Sequence, residues 1–288
     1  MSELHEACLA ANIELVNLLI ANGANVNKKN DNDLTPLYIA CKCKNYEIAK
    51  LLLSYGADVN EKNVHGQSLI DIACQCGPYE IAELLISSGA NINDIDSVGH
   101  TPLHTAIIYG RYTITMLLLS SNFTNVNEKT NYGTTALITA CAHGYYDIVE
   151  RLISLGVNVN EQNVMGQTPL HKACSFKHYE IAKLLILNGA NVNEKDHRGH
   201  TPLYIVCHCG FGEFFELLIS HGAFIGRYID KQINDEYTPF TIAKLYGRND
   251  IIRLLEKEIK KRLYIQSLMI NNDVMKHHII KKKLINLL

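Results

Sequence analysis

Three pairs of thiols, Cys41 with Cys43, Cys74 with Cys76 and Cys207 with Cys209, stand one residue apart, and the chain holds nine cysteines and thirteen histidines. Thiolates paired at short spacing, with imidazoles available, are the donor set of a zinc site. Whether they can close on one ion depends on the elements that carry them. Cys8, Cys41, Cys74, Cys141, Cys174 and Cys207 recur at one place in successive similar segments, and Cys43, Cys76 and Cys209 fall two places later. On a helix two places turn about 200°, so the members of a pair face opposite sides. Equivalents in neighbouring segments would lie about 8–10 Å apart, the spacing of packed helices. The thiols therefore read as small buried hydrophobes, and no metal or cofactor is assigned. No G-x-S-x-G, H-E-x-x-H, Walker A or G-x-G-x-x-G motif stands in the chain, and no catalytic residue is assigned.

The segments follow a period. A Thr or Ser marker recurs at Ser2, Thr35, Ser68, Thr101, Thr135, Thr168, Thr201 and Thr238, at spacings of 33, 33, 33, 34, 33, 33 and 37. Self-similarity at this length signals a stack of supersecondary units and overrides a domain count taken from length. Thr35 is suited to accept from the open N–H groups of a first helical turn, and Pro36 at N1 gives up only an N–H that has no partner. Ile48, Ala49, Leu51 and Leu52 then form one apolar stripe on a second helix. Gly56 supplies the positive φ that ends it. Gly66, Gly99, Gly133, Gly166 and Gly199 recur before the marker, where a tight turn needs them. Each unit is too small to bury its own stripe, so stability comes from stacking on its neighbours.

The boxes SELHEA, TPLYIA, SLIDIA, TPLHTA, TALITA, TPLHKA, TPLYIV and TPFTIA, with G-A-N/D-V-N following the second helix, resemble the ankyrin repeat family over about residues 1–258. The resemblance implies an all-α fold with β-hairpin fingers, about eight helix-turn-helix repeats forming one solenoid. It implies that His5, His104 and His171 make structural hydrogen bonds to neighbouring repeats. It also places partner contacts on the finger tips and the exposed side of the first helix, which together make a concave face. Leu69 and Ala136 replace the box proline, a small loss of capping. Ser121–Thr124 replaces the usual Gly-Ala, and the finger from Phe224 to Tyr237 is four residues longer than the others; both read as bends or contact sites.

On the columns that the resemblance exposes, Ile108, Tyr109, Tyr132, His143, Met165 and Phe176 gather across repeats four to six, with His100 and Arg198 beside them. Aromatic, Met and Arg enrichment is what interface hot spots show, and a patch over three repeats marks a binding site. The partner is a protein, gripped by apolar contact more than by charge.

Net charge is −2, from 27 basic and 29 acidic residues, which excludes a generally basic nucleic-acid or membrane-surface binder. The opening segment lacks the basic and apolar regions of a signal peptide, and no apolar run reaches a membrane span. Nine cysteines in that setting point to a reducing compartment, cytoplasmic or also nuclear. From Lys257 onward eight Lys/Arg oppose two acids, giving +6 and leaving −8 for the rest. Residues 259–288 therefore read as a basic amphipathic helical cap or tail. Its clusters Lys260-Lys261-Arg262 and Lys281-Lys282-Lys283 suit a nuclear address or a docking hairpin. Phrases such as GANVNEKD are similar in style to ankyrin proteins of poxviruses and some parasites. The expected function is a non-enzymatic, monomeric protein-interaction module that sequesters a host regulatory protein. The alternative is an adaptor whose tail recruits a cullin ubiquitin ligase, although the Leu-Pro opening usual in such tails is absent.

Overall fold

The computed structural model describes residues 2–225 and 238–265. The chain divides into two compact units, Met1–Ala190 and Asn191–Leu288. In the first, six helix pairs follow one another: α1 (Glu3–Leu9) with α2 (Ile13–Ala21), α3 (Pro36–Lys42) with α4 (Tyr46–Ser54), α5 (Leu69–Cys76) with α6 (Tyr79–Ser87), α7 (Pro102–Ile108) with α8 (Tyr112–Ser120), α9 (Ala136–His143) with α10 (Tyr146–Ser154), and α11 (Pro169–Ser175) with α12 (Tyr179–Leu187). The second holds α13 (Pro202–Cys209) with α14 (Gly212–Ser220), then α15 (Pro239–Leu245) and a helix over 249–265, α16. The odd-numbered inner helices from α1 to α11 pack in a row, as do their even-numbered partners. None of the described helices is long and apolar enough to cross a membrane.

The markers do what their chemistry requires. Thr35, Ser68, Thr101, Thr135, Thr168, Thr201 and Thr238 are N-caps whose hydroxyls accept from the third backbone N–H of α3, α5, α7, α9, α11, α13 and α15. Ser2 departs from this: it occupies the N-cap of α1 without that bond, and its hydroxyl meets His5 Nδ1 at 2.5 Å instead. Without proline, Ser68 is reinforced by a reciprocal bond with Asp71. Ile48, Ala49 and Leu52 are fully buried, while Leu51 is only half-buried.

The fingers are not strands. Among the described residues they contain only two isolated bridges, Lys62 with Ser68 and Lys129 with Thr135, so the expected β-hairpins reduce to tight turns. The cause lies in where the backbone bonds go. A side-chain oxygen closes the turn, and single backbone bonds join successive fingers of repeats three to six, such as Ser97 N–H to the His65 carbonyl at 3.1 Å. A ladder has no second rung to build on.

At the other end of the repeats, asparagine side chains bridge neighbours. Asn27 Nδ2–H donates to the Gly56 carbonyl at 3.1 Å and its Oδ1 accepts from Asp58 N–H at 2.8 Å. Asn60 does the same with Gly89 and Asn91, Asn93 with Phe123 and Asn125, and, in the second unit, Asn193 with Gly222 and Phe224. Each bridge satisfies a carbonyl left open at an outer helix's end. Asn127, after the irregular Ser121–Thr124 segment, makes no such bridge among the described residues, and an open pocket of about 260 Å³ lies there against Gly156 and Asn158. In that segment Thr124 Oγ1–H donates to the Leu118 carbonyl at 2.6 Å and ends α8 without a glycine. The long finger expected at Phe224–Tyr237 and the tail beyond 265 lie mostly outside the described residues.

Two net hydrogen bonds are worth about 1–2 kcal/mol. Asn93→Ala is therefore expected to lower unfolding free energy by about that amount in urea titrations, and Asn127→Ala to stay within about 0.5 kcal/mol. Equal losses would contradict the bridging role.

Candidate functional site

The cysteines separate as their register requires. Cys8, Cys41, Cys74, Cys141, Cys174 and Cys207 are wholly buried, Cys43 is exposed, and Cys76 and Cys209 are half-buried. Burial pushes the thiols of Cys8, Cys41 and Cys207 up to about 12, with a smaller push on Cys8 from Cys43 and on Cys41 from Cys76. It raises Cys74 and Cys141 as well. A thiol held protonated is neither nucleophile nor metal ligand. Among the described residues no three His, Cys, Asp or Glu side chains converge as a metal site would require.

The box histidines are equally committed. His104 Nδ1 accepts from the hydroxyl and N–H of Thr101, at 2.9 and 3.3 Å, and Nε2–H donates to the Thr134 carbonyl of the next finger at 3.1 Å. His5 reaches the Leu34 carbonyl in the same way at 3.0 Å, and His171 Nδ1 closes the Thr168 cap at 2.7 Å. Burial holds His104 down to about 4, against the smaller upward pull of its bond to Thr134. It is a neutral crosslink.

What remains for contact is the finger tips and the ends of the inner helices. One oxygen shapes each tip: Asp96 Oδ1 accepts from the N–H groups of Val98 and His100, at 2.9 and 2.8 Å, and Asn163 Oδ1 from those of Met165 and Gln167, both at 2.9 Å. Asn63 and Thr130 hold the preceding and intervening tips likewise. Gly99, at φ 83°, sits so close to the next finger that a Cβ would come 2.8 Å from Asn131 N. The tips are therefore linked in a row, Asn131 N–H donating to the Val98 carbonyl and Val164 N–H to that of Tyr132, each at 3.0 Å. This row presents Tyr132 and Met165, 62% and 59% exposed.

Ile108, Tyr109, His143 and Phe176 lie at the C-terminal ends of α7, α9 and α11, and all are exposed. The rings do not stack on one another. His143 lies against Tyr145 at 5.6 Å between centroids and Phe176 against His178 at 6.5 Å, each within its own repeat. Tyr109 is tied back to repeat three, its hydroxyl accepting from Gln75 Nε2 at 2.7 Å. His100 is half-buried and paired with Asp96 at 3.3 Å, so it offers little surface. Arg198 is exposed at a tip of the second unit.

Two features carry no expectation from the sequence. A groove of about 320 Å³ opens between the fingers and inner helices of repeats two and three, lined by Tyr38, Lys42, His65, Ile72, Gln75 and Cys76. Its signal is the run Lys42, Gln75 and Cys76 in the contact columns. The second is a column at the start of the outer helices. Arg111 donates to the Gln75 carbonyl at 2.9 Å, His178 to that of Ala142 at 3.3 Å and, in the second unit, Arg248 to that of His208 at 2.9 Å, each capping the inner helix of the preceding repeat. His178 fits only because Gly144 lacks a Cβ, which would stand 2.5 Å from its ring.

The family model described as "Ankyrin repeats (3 copies)" matches residues 4–96, 93–163, 122–196 and 170–264. The ankyrin repeat domain of human ASB11 is 32% identical, covers 71% of this chain and 91% of that one, and superposes with a TM-score of 0.63. The ankyrin repeat domain of Bcl-3, described as a unique member of the IkappaB protein family, is 26% identical over 70% and 92% of the two chains, also with a TM-score of 0.63. None of the curated proteins matches the chain.

The thiol environments predict a labelling order. Iodoacetamide at pH 8 is expected to modify Cys43 first and Cys76 and Cys209 more slowly, with the six buried thiols reacting only on unfolding. Mass spectrometry of the native protein checks this, and prompt modification of Cys41 or Cys74 would contradict it.

Proposed function

The chain belongs to the ankyrin repeat family, and from that premise we propose that it is a non-enzymatic scaffold that holds a regulatory protein on the face made by its finger tips and inner-helix ends. One observation carries the reading. Between scaffolding contacts that engage the thiols, box histidines and asparagines, the exposed positions of repeats four to six bear Tyr109, Tyr132, Met165 and Phe176, at 49–62% exposure. Large apolar and aromatic side chains at adjacent places on a rigid support are what an interface anchor needs. The groove beside Lys42 and Gln75 extends this face toward repeat two. A reducing compartment, cytoplasm or nucleus, suits the free thiols.

The test is affinity capture from cytosolic and nuclear extracts with the wild type and Tyr109→Ala/His143→Ala/Phe176→Ala, once circular dichroism shows that the variant is folded. Partners retained by the wild type and lost from the variant are expected, with affinity falling at least tenfold. Identical partner sets would contradict the assignment of this face. Deleting Lys260–Leu288 is expected to leave binding intact, and its loss would instead favour an adaptor acting through the tail.

A further inference from the structure

At the fourth position of the box, repeats one and four carry a histidine with two tasks. Nδ1 serves the cap, and Nε2–H crosses to a carbonyl of the next finger, Leu34 or Thr134. Repeat three has Asp71 there. Its Oδ2 takes over the first task, accepting from the Ser68 N–H at 2.9 Å and the Ser68 hydroxyl at 2.8 Å. The second task is vacant. Asp71 is 1% exposed, and its Oδ1 is buried without a hydrogen-bond partner. The carbonyl equivalent to Leu34 and Thr134 is that of His100, which accepts from Asp96 N–H at 3.0 Å and has a second lone pair. An ionised carboxylate can only accept and so cannot bond to it. A carboxylic acid carries the proton that such a bond needs.

We infer that Asp71 is a proton-operated latch: its protonated Oδ1 donates to the His100 carbonyl, joining repeat three to the following finger by the bond that histidine makes elsewhere. Burial supports the protonated form and raises Asp71 from 3.8 to about 6, opposed by the Ser68 bonds and helped by Asp96 and Asp94. Asp94 and Asp96 act on it from the finger and Cys74 lies on its own helix; the elements packed against that helix also carry Cys41 and Lys42 (α3), Glu80 and Glu83 (α6) and His104 (α7), of which Lys42, Glu80 and Glu83 are exposed. Asp94 is paired with Lys62 at 3.1 Å and Asp96 with His100 at 3.3 Å. Because the folded value lies above the unfolded one, the folded chain holds the proton more tightly. The latch therefore closes and adds stability as pH falls from about 6 towards 4, and that contribution is lost as pH rises through about 6.

Asp71→Asn carries an amide that can accept from Ser68 and donate to His100 at any pH. In thermal unfolding of the full chain, this variant is expected to melt several degrees above wild type at pH 7.5, with the gap closing by pH 4.5. Taking the difference removes the acid sensitivity of every other group. A gap of the same size at both pH values, or no gap at pH 7.5, would overturn the latch. Wild type alone gives a second readout that needs no variant. Amide exchange at 96–100, corrected for its intrinsic rate, is expected to slow between pH 7 and pH 5, and the Asp71 carboxyl carbon to titrate near 6 by NMR. Constant protection, or a midpoint in the ordinary carboxylate range, would refute the proposal.

Discussion

Helices α1 to α15 are each too short to stand alone, and their open backbone ends are the constraint on which the structure depends. Helices α1 to α15 run seven to nine residues, below the length at which an isolated helix holds in water. In helices this short, most N–H and C=O groups lie in a first or last turn. The first turns are closed locally by Thr and Ser caps. Several last turns are closed from the neighbouring repeat: Asn27, Asn60 and Asn93 at the outer helices, Arg111 and His178 at the inner ones. Stacking of the apolar stripes and satisfaction of the backbone thus use the same partner, the adjacent repeat.

That division of labour engages residues whose types could otherwise have done chemistry. Cys8, Cys41, Cys74, Cys141 and Cys207 are core filler held protonated by burial, and His104 is a neutral crosslink. The side chains left over are those the stack does not use, at the tips and inner-helix ends. These can change without disturbing the fold, and the proposed partner contacts are placed among them.

Much of this was legible in the amino-acid sequence because each signal had a local cause. Thr35 followed by Pro36 starts α3 by chemistry that involves only neighbouring residues, and the period turns the cysteine pairs from candidate ligands into two columns, one buried and one on the surface. The hairpins that the family resemblance implies shorten to turns with isolated bridges, because Asn63, Asp96 and Asn163 draw backbone N–H groups onto side-chain oxygens. The expected patch was located by register, yet register does not tell which ring turns toward which. Tyr109 is tied to Gln75 and His143 lies on Tyr145, arrangements that depend on packing distances of a few ångströms. Likewise only burial reveals the unpaired oxygen of Asp71.

In the first unit each repeat is held by its neighbours, and native-state hydrogen exchange on the intact chain tests this most directly. Ile138→Ala removes a side chain 1% exposed in α9, a change worth about 2–4 kcal/mol. Nearest-neighbour support predicts that exchange quickens most in repeats four to six and progressively less towards repeat one. An equal increase in every repeat, as one indivisible core would give, would contradict the account.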